Sequence, residues 1–106
     1  MSPRPIYLIQ VLIPIHDNRR TPFPRQRFER VRQELTDRFG GVTVFLRSPA
    51  IGFWKDEEAV VRDDVVLYEV MTETLDRDWW TRYRLQLQER FAQQEMVIRS
   101  SEIERL

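Results

Sequence analysis

The longest apolar stretch of the chain comes near its start. Ile6–Ile15 is rich in β-branched residues, with Gln10 its only strongly polar member, and reads as a strand. His16, Asp17, Asn18, Arg19, Arg20, Thr21, Pro22 and Phe23 read as a loop. Pro24 suits the first turn of a helix, and Phe23 before it is biased away from helical geometry. Phe28, Val31, Leu35 and Phe39 then recur at helical spacing until Gly40 and Gly41 stop the run. Val42–Arg47 is a second strand. A third runs from about Asp64 to Thr72. The sixteen residues between them would make an unusually long structureless loop for so small a chain. Ile51–Lys55 and Ala59–Arg62 are therefore expected to extend the hairpin, with Asp56–Glu58 as its tip.

A second helix is expected from Asp76 to Gln93. Asp76 is a good N-cap, and Leu75 before it is placed to pack on Trp80. Trp79, Trp80, Tyr83, Leu87 and Phe91 fall on one helical face, so the tryptophans are core residues first; Leu85 points away from that face. Met96–Ile103 is the fourth strand. The order βαββαβ over 106 residues is the ferredoxin-like split pattern, an α+β fold in one domain spanning 1–106. It implies a four-stranded antiparallel sheet of order 4-1-3-2, two helices on one face, and an extended hairpin between the second and third strands. Strands one and three are expected to be central and parallel, with their carboxyl ends side by side.

Alternation divides the two central strands. Tyr7, Ile9, Val11 and Ile13 oppose Ile6, Leu8, Gln10 and Leu12 in the first. Val66, Tyr68 and Val70 oppose Val65, Leu67, Glu69 and Met71 in the third. Both faces are mainly apolar, yet two helices cover only one, and a half-exposed antiparallel sheet is normally polar on its free side. An open apolar face of that size marks an interface. A homodimer with sheets meeting face to face is expected, burying on the order of 800 Å² per partner. Gln10 and Glu69, with Arg99 in the same row, are expected on the open face as a polar row that fixes register in the dimer, the alternative being ligand groups lining a pocket inside the sheet sandwich. Trp54, in the hairpin arm, is expected to plug the partner's sheet as an aromatic anchor, the alternative being that it covers a pocket.

Seventeen basic and seventeen acidic residues cancel, which argues against a nucleic-acid partner. The halves differ: residues 1–53 carry net +5 and residues 54–106 net −5. Arg19, Arg20 and Arg25 lie in or just after the first loop; Asp56, Glu57, Glu58, Asp63 and Asp64 crowd the hairpin. If these lie at opposite ends of the sheet, an inverted second copy would bring them together. No run of about 18 apolar residues suggests a membrane span. No leader pattern is evident either. With no cysteine in the chain, a disulfide frame is excluded, and a soluble cytoplasmic protein is the expectation.

Candidate chemistry is sparse. If the first and third strands end side by side, His16, Asp17, Arg19 and Arg20 meet Glu73 on one rim. A histidine there could move a proton with a carboxylate to orient it, while the arginines would hold an anion. The plain alternative is loop and cap residues in water. A lone His makes a metal site improbable, and three glycines offer no phosphate loop. No cofactor is expected.

Leu8–Pro14, Arg38-Phe39-Gly40-Gly41-Val42-Thr43, Ser48-Pro49-Ala50 through Gly52-Phe53-Trp54-Lys55, and Trp79-Trp80 with Tyr83 resemble a group of small, uncharacterised bacterial proteins with a ferredoxin-like fold. The architecture is similar to dimeric α+β barrels, which include cofactor-free monooxygenases, haem-degrading enzymes and small-molecule-binding regulators. That resemblance implies a site between helices and sheet. Two functions follow as expectations: a homodimeric domain binding a small ligand or protein partner, or a cofactor-free enzyme of monooxygenase or isomerase type, using the His16 rim or a pocket near Tyr68 and Tyr83.

Overall fold

The computed structural model describes residues 5–47, 51–52, 60–61 and 64–106. In chain order the elements are β1 (Ile6–Pro14), α1 (Arg25–Phe39), β2 (Thr43–Arg47), β3 (Ile51–Gly52), β4 (Val60–Val61), β5 (Val65–Thr72), α2 (Arg77–Arg90) and β6 (Val97–Ile103). The main sheet has the order β2-β5-β1-β6. Since β5 and β6 are the third and fourth strands expected from the pattern, this is the 4-1-3-2 arrangement of a βαββαβ fold. Ile51 pairs with Val61 and Gly52 with Val60, so the hairpin is extended by a short separate ladder. Trp54 and the acidic tip Asp56–Glu58 lie outside the described residues.

One expectation is corrected. β1 and β5 are antiparallel, with Tyr7 opposite Thr72 and Pro14 opposite Val65. β1 and β2 are the strands joined by a helical crossover, and β5 inserts between them after a hairpin that reverses its direction. Antiparallel to β2, it is antiparallel to β1 as well. Their carboxyl ends are therefore at opposite ends of the sheet, not side by side. A second correction follows. Arg47 at the end of β2 pairs with Val65, and Pro14 at the end of β1 pairs with the same residue. The hairpin thus leaves the sheet at the end where the basic loop lies. The case for an inverted copy drawing opposite charges together loses its premise.

The core forms where the helices meet one sheet face. Ile9, Val11, Ile13, Tyr68 and Val70 pack with Val31 and Leu35 of α1 and with Trp80, Tyr83 and Leu87 of α2, all nearly inaccessible to water. Leu85 is exposed, as its helical phase requires. Phe39 stacks on Trp80 at 5.2 Å and Trp79 on Tyr83 at 4.8 Å, and the Arg38 guanidinium lies 4.1 Å above the Trp79 ring. Among the described residues no helix is long and apolar enough to cross a membrane.

Helix ends follow local chemistry. Pro24 takes the N-cap of α1, one position earlier than expected, without a side-chain cap. Asp76 caps α2 by accepting from the Trp79 N–H at 3.0 Å. α2 stops short of Gln93. Ala92 turns left-handed at φ 48, and the N–H groups of Ala92 and Gln93 close back onto the carbonyls of Glu89 and Gln88. The turn buries Phe91 completely. α1 ends through Gly40, at φ 80, whose N–H donates to the Thr36 carbonyl at 2.8 Å.

These two left-handed positions carry opposite expectations. A Cβ at Gly40 would meet nothing within 4 Å, so Gly40→Ala strains only the backbone. It should destabilise by about 0.5–1 kcal/mol, and Ala92→Gly should stabilise by a similar amount. Thermal unfolding of the two variants checks this; shifts of the same sign would contradict it.

Candidate functional site

A depression in the described surface follows from how α1 lies on the sheet. One stripe of α1 presents Arg25, Phe28, Glu29 and Arg32 at helical spacing. Beneath it, Val44 and Leu46 of β2 pair with Tyr68 and Val66 of β5, four side chains on one sheet face. Ile15 and Phe23 close one end, tied by the Phe23 N–H donating to the Ile15 carbonyl at 2.9 Å. The result is a mainly apolar cleft of about 530 Å³ between α1 and β2. It exists because the helices cover β1 and β5 but not the edge strand: Val44 is 43% exposed and Leu46 76%.

The walls of the cleft are fixed. Phe23 and Phe28 both pack against Phe91, at ring separations of 5.2 and 5.3 Å. The Tyr68 hydroxyl donates to the Phe28 carbonyl at 2.9 Å. Burial, with the nearby Glu29 charge adding, pushes the Tyr68 phenol well above its ordinary value, so it is neutral and committed to α1. Glu29 accepts from Arg32 at 2.9 Å. Arg25 forms no ion pair among the described residues.

The residues expected on one rim do not meet. His16, Asp17, Arg19 and Arg20 follow β1, whereas Glu73 follows β5, and seven strand positions, roughly 23 Å, separate the two ends. The Asp17 carboxylate builds the loop itself, accepting from the N–H groups of Arg19 and Thr21 at 2.8 and 2.9 Å. His16 bridges Pro22 across that loop, and Arg19 and Arg20 are exposed. The loop borders the cleft through Ile15 and Phe23, but these four residues do not line it. Among the described residues no His, Asp or Glu cluster is arranged to hold a metal.

The expected polar row is present. Register places Arg99, Gln10, Glu69 and Thr43 in line across the sheet. Arg99 donates to Gln10 Oε1 at 2.6 Å, and Gln10 Nε2 donates to Glu69 at 3.0 Å. Beside it runs an apolar row of Val97, Leu12, Leu67 and Phe45, and on its other side lie Leu8 and Met71. Val97 and Met71 are about half exposed.

Tyr68 lines the cleft and Tyr83 does not. Tyr83 donates to Glu34 at 3.1 Å, and Arg90 donates to the same carboxylate, at 2.8 Å through Nη2. Burial alone would raise Glu34. The hydrogen bonds and charge of Arg90, aided by Tyr83 and Arg30, outweigh it and hold the carboxyl below its ordinary value. This network joins α1 to α2 and is structural.

Of the pocket expected near Tyr68 and Tyr83, the cleft includes Tyr68; its wall of Val44 and Leu46 was not singled out from the sequence. The available signal was three consecutive apolar residues in β2, Val44, Phe45 and Leu46, where neither face of an edge strand is fully covered.

No family model matches the sequence, and no curated protein matches it. Solved structures resemble its fold, two of them as follows. One is a phage SAM lyase in complex with S-methyl-5'-thioadenosine, at TM-score 0.61 and 9% identity, covering 96% of this chain and 84% of that one. The other is the divalent ion tolerance protein CutA1 from Ehrlichia chaffeensis, at TM-score 0.55 and 13% identity, covering 99% of this chain and 87% of that one. Both establish a small α+β architecture consistent with a ferredoxin-like fold.

The inter-helix carboxylate gives a pH-dependent expectation. A depressed folded-state pKa contributes stability above the ordinary value of 4.5 and loses it as pH falls through the folded value. Glu34→Gln should cost about 1–2 kcal/mol near neutrality, discounted for partial exposure. Denaturant unfolding should show the gap from the parent narrowing below about pH 4.5. An equal gap at both pH values would contradict the assignment.

Proposed function

We propose that the chain works as a homodimeric binding domain, with two copies joined through their open sheet faces and a small-molecule site in the cleft between α1 and β2. The observation that carries the reading is the composition of the open face. Its apolar rows flank one polar row, and that row is internally hydrogen-bonded and charge-balanced from Arg99 through Gln10 to Glu69. An isolated buried carboxylate is costly; Glu69 enters an interface already paired. The cleft lies against the opposite face, so a dimer of this kind leaves it open.

The face sets the strength of association. Strands of nine, eight, seven and five residues project to roughly 450 Å², of which Leu67 is already buried in the single chain. Two such faces reach only the smaller end of stable interfaces, so a dissociation constant on the order of micromolar is expected rather than nanomolar.

Sedimentation equilibrium across that concentration range tests the dimer. Met71→Glu with Val97→Glu alters two residues that are about half exposed in the single chain. The double variant should keep its circular dichroism and sediment as a monomer. A parent chain that is monomeric at several hundred micromolar, or a variant that associates equally well, would overturn the reading.

A further inference from the structure

The cleft has a composition that selects its occupant. Its floor and inner wall are hydrocarbon and aromatic: Phe23, Phe28, Val44, Leu46, Val66 and Ile15. A highly solvated ion has nothing to bind there, and an apolar body gains roughly 25 cal/mol for each Å² it withdraws from water. At about 530 Å³ the space falls within the range of small-molecule sites.

The polar groups around it are unequal. The Tyr68 hydroxyl already donates its hydrogen bond to the Phe28 carbonyl, and Glu29 and Arg32 pair with each other. Arg25 remains, at the first residue of α1, with no ion pair among the described residues. The lining carries two guanidinium groups and one carboxylate, an excess of one positive charge. The start of the helix adds to it: Pro24 supplies no side-chain cap, and the first turn holds no acidic residue. A cation meets net repulsion here, and a dianion meets one uncommitted partner.

We infer that the cleft between α1 and β2 binds a monoanionic amphiphile, a carboxylic acid with an apolar body of medium length, its tail over Leu46 and Val44 and its carboxylate on Arg25. This deepens the binding half of the proposed function and does not depend on the dimer, because no cleft residue belongs to the open sheet face. Arg25 is a specificity residue in this arrangement; Leu46 is a packing surface that only an occupant would cover.

Octanoate and 1-octanol serve as probes that share a tail and differ in charge, titrated calorimetrically into the full chain. Octanoate should bind once per chain and more tightly than octanol. Leu46→Glu should weaken octanoate by about tenfold or more, by placing a charge on the apolar floor. Arg25→Glu should weaken octanoate several-fold, through loss of a charge-assisted contact, and leave octanol unchanged. Both residues are exposed, so unfolding midpoints should stay near that of the parent. The Met71→Glu, Val97→Glu variant should bind octanoate as the parent does, whatever its oligomeric state. Absence of octanoate binding, equal affinity for octanol, or binding indifferent to both cleft variants would each overturn the inference. So would a Leu46→Glu variant that changes sedimentation while keeping octanoate affinity, since the cleft would then be a contact between copies. A monomeric parent that binds octanoate as described would sink the dimer and leave this assignment standing.

Discussion

β1 pairs on both of its edges, with β5 on one side and β6 on the other, and both partners run against it. A strand hydrogen-bonded on both sides has no freedom to slip. A shift of one residue would turn Ile9, Val11 and Ile13 away from the helices and leave Gln10 in their place. The register that buries those three side chains also aligns Arg99, Gln10 and Glu69 on the other face. Packing on one side and hydrogen bonding on the other thus specify the same alignment.

From that register come two surfaces of different kinds. The helix side is sealed over β1 and β5 by the aromatic seam of Phe39, Trp79, Trp80 and Tyr83, and by the Glu34 network joining α1 to α2. It is unsealed over β2, where two helices do not span four strands, and the cleft is that shortfall. Among the described residues no helix lies over the other side, where Leu67 is nonetheless buried and the hydrocarbon is interrupted by one paired polar row. The two surfaces lie on opposite faces of one sheet, so association through one is compatible with binding at the other.

The antiparallel direction of β5 also decides which chemistry is available. It parts His16 from Glu73 and leaves Asp17 bonding its own loop. Proton transfer by a His–carboxylate pair on a shared rim has no geometric basis here. Of the arginines in and after the first loop, Arg25 begins a helix lying along a hydrocarbon cleft, whereas Arg19 and Arg20 sit on an exposed turn.

Much of this was written in local patterns. Apolar period placed the four long strands and both helices within a few residues, Gly40 and Asp76 marked helix ends, and alternation put Gln10, Glu69 and Arg99 on one face. Those features depend on neighbours along the chain or on the two-residue repeat of a strand, which a sequence carries directly. Strand direction was already implied by an antiparallel sheet of order 4-1-3-2, against the parallel reading of strands one and three; the cleft was decided by the tertiary structure. Val44 and Leu46 look like any half-buried strand residues until the width of two helices is compared with the width of four strands. His16 and Glu73 look adjacent until the reversal at the hairpin is carried through the sheet. Which groups meet across space is set by chain direction and the reach of packed elements, and no local run of residues records either.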